Sequence, residues 1–149
     1  MAEAGYRGPQ VCKIVGITYR QLDYWARTGL VRPSVMDANG SGTQRLYSYR
    51  DLVELKVIKQ MLDAGISLQS ARKAVDALRA FDHELASVRI VIQGPSIVLA
   101  QSDEQVMDLL RGGQGVLSMV LEIEPLQQTI TEAVQLAFDT GGSPQAAAR

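Results

Sequence analysis

The sequence predicts an α+β protein with a largely helical first half and a small ββαβα second half. Two observations favour this division. Apolar residues recur at helical spacing through most of residues 10–81. After residue 87, two short stretches rich in β-branched residues, VRIVIQ and SIVLAQ, flank a Gly-Pro-Ser turn, which is typical of an antiparallel hairpin.

Two short helices joined by a tight turn are predicted near the start of the chain. Gln10–Val15 suits the first helix, which Gly16 closes, and Thr18 is a good N-cap for the second, which Gly29 ends. One face of the second helix is apolar: Leu22, Trp25 and Ala26. The opposite face mixes aromatic and charged groups: Tyr19, Arg20, Asp23, Tyr24 and Arg27. This pair is a candidate helix-turn-helix, and its polar face suits contact with a partner.

A short hairpin follows the two helices. Residues 31–36 and 44–48 are predicted as extended segments. The tip between them, Asp37 to Thr43, holds two glycines and an Asn-Gly step, which allow a tight turn.

Two longer helices complete the first half. Ser48 and Asp51 resemble a capping box at the start of one helix, which Gly65 ends, and Ser67 begins the other, which runs to about residue 81. Their apolar stripes indicate core packing: Leu52, Leu55, Ile58, Leu62, Leu68, Ala71, Val75 and Leu78.

The second half continues beyond its hairpin with a helix, a strand and a last helix. Ser102 and Gln105 are predicted to cap the helix, and the alternating run GVLSMVLEIE is predicted as a half-buried strand that Pro125 breaks. The last helix carries an apolar stripe: Leu126, Ile130, Ala133, Val134 and Ala137. Because a unit of about 50 residues is marginal alone, we expect it to need a partner surface.

Three segments of the first half together resemble the DNA-binding domain of the MerR family. They are GITYRQLDYWARTGLVRP, RLYSYRDL and MLDAGISLQ, with a glycine-bearing loop between the first two, and the likeness covers about residues 8–80. Within the family the chain is most similar to the FtsR-like group, whose members act on cell-division genes. The resemblance implies a winged helix-turn-helix transcription regulator that binds double-stranded DNA as a homodimer and activates by distorting its promoter, with RNA polymerase as a further partner.

The chain is accordingly divided into three predicted parts. Residues 1–82 form the winged helix-turn-helix domain, 83–138 a small α+β dimerisation or effector domain, and 139–149 a disordered tail. Charge supports this division, because residues 1–83 hold 12 Lys and Arg against 8 Asp and Glu, whereas residues 84–149 hold 3 against 8. The basic part suits nucleic acid, and the acidic part would repel phosphate.

The DNA-binding residues implied by the resemblance lie on the second helix and the hairpin: Thr18, Tyr19, Arg20, Tyr24, Arg27, Arg45 and Tyr47. The first three occupy the leading end of the helix, where side chains reach bases or the nearest phosphates. Tyr24 and Arg27 are expected to meet the DNA backbone. Arg45 matches the family's phosphate-contacting arginine, and Tyr47 is expected to support that arginine and pack the wing.

Asp23 departs from the family, which commonly has an arginine at this position. A carboxylate facing phosphate is unfavourable. Asp23 therefore either pairs internally with Arg20 or Arg27, or accepts a hydrogen bond from a cytosine amino group.

The dimer surface is a second departure. MerR-like proteins usually dimerise through a long coiled-coil helix after the fourth helix, but here the strand pattern begins a few residues after Asp82 and Glu84. Residues 115–137 are therefore the expected dimer surface. An alternative function is a DNA-tethered module whose C-terminal domain recruits a partner protein without direct activation.

Several function classes find no support in the sequence. Cys12 and His83 are too few for a soft-metal site, no Gly-Lys-Ser/Thr follows the glycines, and no acidic pair is placed with a nucleophile. We therefore expect no enzyme activity, no metal and no cofactor. The chain lacks a signal-peptide pattern and a long apolar run, so we expect a cytoplasmic, nucleoid-associated protein without membrane contact. An effector and the operator are left open.

Overall fold

The computed structural model describes residues 5–36, 45–81, 84–112 and 116–140. Of these, residues 138–140 are described by their backbone only. Its first half contains β1 (Tyr6–Arg7), α1 (Gly8–Val15), α2 (Tyr19–Arg27), β2 (Leu46–Tyr47), α3 (Tyr49–Asp63) and α4 (Leu68–Ala80). A 3₁₀ turn at Leu85–Ser87 leads to β3 (Arg89–Gln93), β4 (Ser96–Ala100), α5 (Asp103–Gly112), β5 (Leu117–Glu122) and α6 (Ile123–Thr140). The predicted α+β class and the ββαβα order are confirmed.

The caps of α2 are those that the sequence predicts. The Thr18 hydroxyl accepts a hydrogen bond from the Gln21 amide at 3.0 Å, and the Gln21 side chain accepts one from the Thr18 amide at 3.0 Å. Gly16 and Gly29, which follow the ends of α1 and α2, have φ values of +87° and +79°, in the left-handed region that favours glycine. Both ends of α2 and the C-terminal end of α1 are thus fixed by local chemistry.

The base of the wing is a small antiparallel arrangement. Met36 and Leu46 form a bridge, with N–H···O distances of 3.1 and 2.7 Å in the two directions. The other side of β2 pairs with β1, where Tyr6 lies opposite Tyr47. Strand β1 was not predicted, because two residues carry no periodic pattern. The predicted wing tip, Asp37 to Thr43, lies outside the described residues.

The second half is built on a three-stranded antiparallel sheet with β3 in the centre, in the order β4-β3-β5. One face belongs to the main core through Ile90 and Ile92, both fully buried. The other face, with Val91 and Ala100, is covered by Val106 of α5. The two faces follow the alternation of side chains along a strand.

The junction between β5 and α6 differs from the prediction. The strand ends at Glu122, and Ile123 already begins the helix, so Pro125 lies in the first helical turn instead of separating two elements. Proline is tolerated there because the first amides of a helix need no intrahelical acceptor. A register shift at Ile92 and Gln93 also leaves Leu117 44% exposed, although the alternation had placed it on the buried face.

The two halves share one hydrophobic core. Ile123, Leu126 and Ile130 of α6 are at most 2% exposed and belong to the same cluster as Val15 of α1 and Leu55 of α3. The partner surface expected for the second half is therefore supplied by the first half of the same chain.

The shared core does not test where the domain boundaries lie, so the predicted boundaries remain predictions. Helix α6 continues to Thr140, into the segment predicted as a tail, while Asp82, His83 and residues 141–149 lie outside the described part of the chain. In the ranges that the structure does describe, no helix is both long enough and apolar enough to cross a membrane.

Candidate nucleic-acid interface

Helix α2 divides into the two faces that its sequence predicts. Leu22, Trp25 and Ala26 are at most 4% exposed and pack into the core. Tyr19 and Tyr24 are 59% and 51% exposed. Arg20 and Arg27 lie on the exposed side as well. Four of the seven predicted contact residues are therefore available to a large partner along one helix.

Tyr19 lies against the beginning of α1. A Cβ atom at Gly8 would be 3.1 Å from the Tyr19 ring, so glycine permits this close approach. Gly8 follows directly on Arg7, an exposed residue of β1 that lies opposite Leu46 of the wing. Arg7 was not among the predicted site residues, because the pairing that brings it to the wing has no sequence signal.

Asp23 joins the wing to α2. Its Oδ1 accepts a hydrogen bond from Nη1 of Arg45 at 2.8 Å, and its Oδ2 accepts one from Nε of Arg27 at 2.9 Å. Of the two internal partners predicted for Asp23, Arg27 is the one observed. Arg45, 22 positions away in the sequence, is an additional partner that no local pattern indicated.

The electrostatics of this trio favour its charged form. The hydrogen bond from Arg45, followed by that from Arg27, holds the pKa of Asp23 below its usual range. The same bond to Asp23 raises the pKa of Arg45 further above neutrality. Two guanidinium groups and one carboxylate therefore carry a net charge of about +1 together at neutral pH.

Arg45 and Tyr47 are less accessible than the predicted contact residues of α2. The Arg45 side chain is 18% exposed, whereas that of Arg27 is 64% exposed. Tyr47 is fully buried in the main core. Of the roles given to Tyr47 in the sequence analysis, support of the wing from below fits this position, and direct contact with a partner does not.

A buried acidic group fixes the chain between α2 and the wing to the start of α3. Oδ2 of Asp51 accepts hydrogen bonds from the Ser34 amide at 2.7 Å, the Ser34 hydroxyl at 2.8 Å and the Ser48 amide at 2.9 Å. Ser48 and Asp51 form the predicted capping box. The sequence did not indicate that the same carboxylate also holds Ser34.

A second buried acid supports the C-terminal end of α2. Nη2 of Arg79, on α4, donates to the Leu30 carbonyl at 2.9 Å and to Oε1 of Glu54 at 3.0 Å. Burial raises the pKa of Glu54, and the hydrogen bond from Arg79 partly opposes this shift. Sequence reasoning missed this contact, because Leu30 lies far along the chain from both Glu54 and Arg79.

The fold and this surface define a helix-turn-helix protein with a wing packed beside its second helix. The family model described as "MerR HTH family regulatory protein" matches residues 6–78. Residues 6–78 form a helix-turn-helix domain of the MerR family, as the sequence motifs indicate. The narrower likeness to the FtsR-like group stays a prediction.

Two curated relatives are named as uncharacterized HTH-type transcriptional regulators, one from Mycobacterium bovis and one from Mycobacterium tuberculosis. Each is 53% identical over 118 residues, which cover 78% of this chain and 52% of the relative. The chain thus spans about half the length of the curated relatives it matches.

Proposed function

We propose that the protein is a transcription regulator that binds specific sites in double-stranded DNA through α2 and the wing. The observation that carries this proposal is the junction at Asp23, whose carboxylate binds both Arg45 of the wing base and Arg27 of α2, on the helix that exposes Tyr19. A helix in the major groove and a wing on the backbone would both be positioned by this junction.

The predicted contact residues divide by position. Tyr19 and Arg20 lie in the first turn of α2, from which a side chain enters the major groove most deeply. Tyr24 and Arg27, further along, are placed to meet phosphates. The Thr18 hydroxyl already accepts a hydrogen bond from the Gln21 amide, so its main role is to cap α2.

We further infer that the protein binds as a homodimer and activates by distorting promoter DNA, with RNA polymerase as a partner. This inference rests on membership of the family. The apolar stripe of α6, which had suggested residues 115–137 as the dimer surface, packs within the chain. Val116 and Leu117 remain exposed, at 84% and 44%, and keep the start of this stretch available for a second copy.

The test begins with purified protein and fragments of its own genome, sequencing the fragments that it retains at low ionic strength. We expect Arg45→Ala to weaken binding to all of the retained fragments by a similar factor and to lower the salt slope on them by about one unit, as loss of a phosphate contact does. Arg20→Ala should instead change the preference among sites, with a loss of roughly 1 to 3 kcal/mol on the best site.

Arg111→Ala on α5, in the acidic half, serves as the control for loss of one positive charge. Equal effects of Arg20→Ala and Arg45→Ala on all duplexes would show that Arg20 does not read bases. Failure of the wild-type protein to retard any duplex would contradict the proposed function as a whole. Sedimentation of the protein with a retained duplex then tests for two copies per site.

A second candidate is a DNA-tethered module that recruits a partner protein. It is favoured by apolar side chains exposed in the second half, where Val98 is 37% and Met107 48% exposed. Run-off transcription at an occupied promoter separates the candidates. An increase in transcript supports activation, and an equal amount with and without the protein supports tethering.

A further inference from the structure

The position of Asp23 at the proposed DNA surface has a consequence for specificity. Its carboxylate engages both nearby guanidinium groups, one oxygen for each, at 2.8 and 2.9 Å. A phosphate that approaches Arg45 must either share this guanidinium with Asp23 or displace Asp23 from it. In both cases the phosphate and the Asp23 carboxylate, which are both negative, come close together. The phosphate contact is therefore weaker than one made by an unpaired arginine.

The same pairing restricts how Arg45 can move. Its side chain is 18% exposed and is held through Nη1 by a residue of α2, so wing base and helix are fixed relative to each other. A guanidinium held in this way meets a phosphate in one position without further loss of side-chain freedom. It cannot follow phosphates that lie elsewhere, as an unpaired and mobile arginine can.

We propose that Asp23 is a specificity-determining residue, which holds Arg45 and Arg27 in fixed positions and thereby disfavours non-operator DNA more than operator DNA. This inference rests on the proposed function. Complexes with non-operator DNA depend almost entirely on phosphate contacts. Their affinity is therefore reduced most by a carboxylate that lies between Arg45 and Arg27. In the operator complex, the phosphate lies where the fixed guanidinium points, and base contacts from Tyr19 and Arg20 add to it.

The decisive variant is Asp23→Asn, which keeps the shape of the side chain and removes its charge. We expect tighter binding to a non-operator duplex and a salt slope steeper by about 0.9, the value for one additional phosphate. Affinity for the best genomic fragment should rise less, so the ratio between the two affinities falls. From about 200 to 50 mM salt, the added slope corresponds to roughly a three- to fourfold gain on non-operator DNA.

Asp108→Asn is the matched control, because Asp108 also pairs with an arginine, Arg111 at 3.4 Å, but on α5. It should leave both slopes unchanged. Combining Asp23→Asn with Arg45→Ala gives a second readout that general loss of structure would not produce. If Asp23 acts through Arg45, the effect of Asp23→Asn on non-operator DNA becomes smaller in the Arg45→Ala protein.

Two results would overturn the inference while leaving the proposed function intact. One is wild-type binding with no difference in salt slope between wild type and Asp23→Asn. The other is a changed preference at a single base pair with unchanged non-operator affinity, which would assign Asp23 to reading a cytosine. If wild-type protein binds no duplex at all, the proposed function fails first, and the specificity role of Asp23 fails with it.

Discussion

At the scale of single residues, two buried acids beneath the proposed interface determine how firmly α2 and the wing are held. Asp51 and Glu54 lie one turn apart on α3 and are each 4% exposed. Asp51 accepts hydrogen bonds from Ser34, in the chain that follows α2, and Glu54 binds Arg79, which donates to the carbonyl of Leu30. Buried carboxylates of this kind are stabilising only while their partners are in place.

Replacement of Asp51 should therefore be costly. Asp51→Ala leaves the amides of Ser34 and Ser48 without their acceptor, and we expect the free energy of unfolding to fall by about 2 to 4 kcal/mol. Asp51→Asn keeps an acceptor oxygen in place and should cost about half as much. Chemical denaturation of the two variants measures the difference. Equal losses would mean that the charge of Asp51, and not its hydrogen bonds, is what matters.

Glu54 gives a prediction on pH. Because burial raises its pKa in the folded state, the folded protein binds a proton at Glu54 more tightly than the unfolded chain does. Its contribution to stability is therefore greatest below the unfolded pKa of about 4.5 and declines as pH rises through the raised folded value.

The measurement compares wild type with Glu54→Gln, which does not titrate. The free energy of unfolding of wild type, relative to the variant, should decrease from pH 4.5 upward and then level off. A relative increase over this range would show that Arg79 outweighs burial and that the folded pKa is lowered.

At the scale of elements, α2 is a helix of nine residues whose ends are fixed by its own sequence. Helices this short are marginal alone, so caps and packing have to support them. The Thr18 and Gln21 capping box satisfies the first amides, and the apolar face with Trp25 supplies the packing.

Thr18→Ala should remove the cap and lower the free energy of unfolding by about 1 kcal/mol, whereas Thr18→Ser should change it little. Thermal unfolding by circular dichroism tests both variants. If serine does not restore the stability lost with alanine, then the methyl group of Thr18, and not its hydroxyl, makes the contribution.

At the scale of the whole molecule, the shared core predicts one cooperative unfolding transition. Ile130 of α6 is fully buried in the cluster that includes Val15 and Leu55. Trp25, the single tryptophan of the chain, reports on the first half. A change in the second half should therefore shift the transition seen at Trp25.

We expect Ile130→Ala to lower the free energy of unfolding, measured by Trp25 fluorescence, by about 2 to 5 kcal/mol. Leu136→Ala, on the same helix but 61% exposed, is the control and should stay within about 0.5 kcal/mol of wild type. An unchanged Trp25 transition in Ile130→Ala would mean that the halves unfold independently.

The sequence by itself determined most of the elements and the resemblance of its first half to the MerR family. Caps such as Thr18 and Ser48, glycines such as Gly16 and Gly29, and apolar spacing all act within a few residues, so they can be identified from the chain alone. The amphipathic division of α2 belongs to this group, because a helix of known phase fixes which side chains face the core.

Only the tertiary structure decided which distant residues meet. The pair Asp23 and Arg45, the support of Leu30 by Arg79, and the packing of α6 on α1 and α3 join residues that no local pattern relates. The apolar stripe of α6 has the same period whether it packs on its own chain or on a second copy. Periodicity specifies that a face is buried, but the partner that buries it depends on how the whole chain folds.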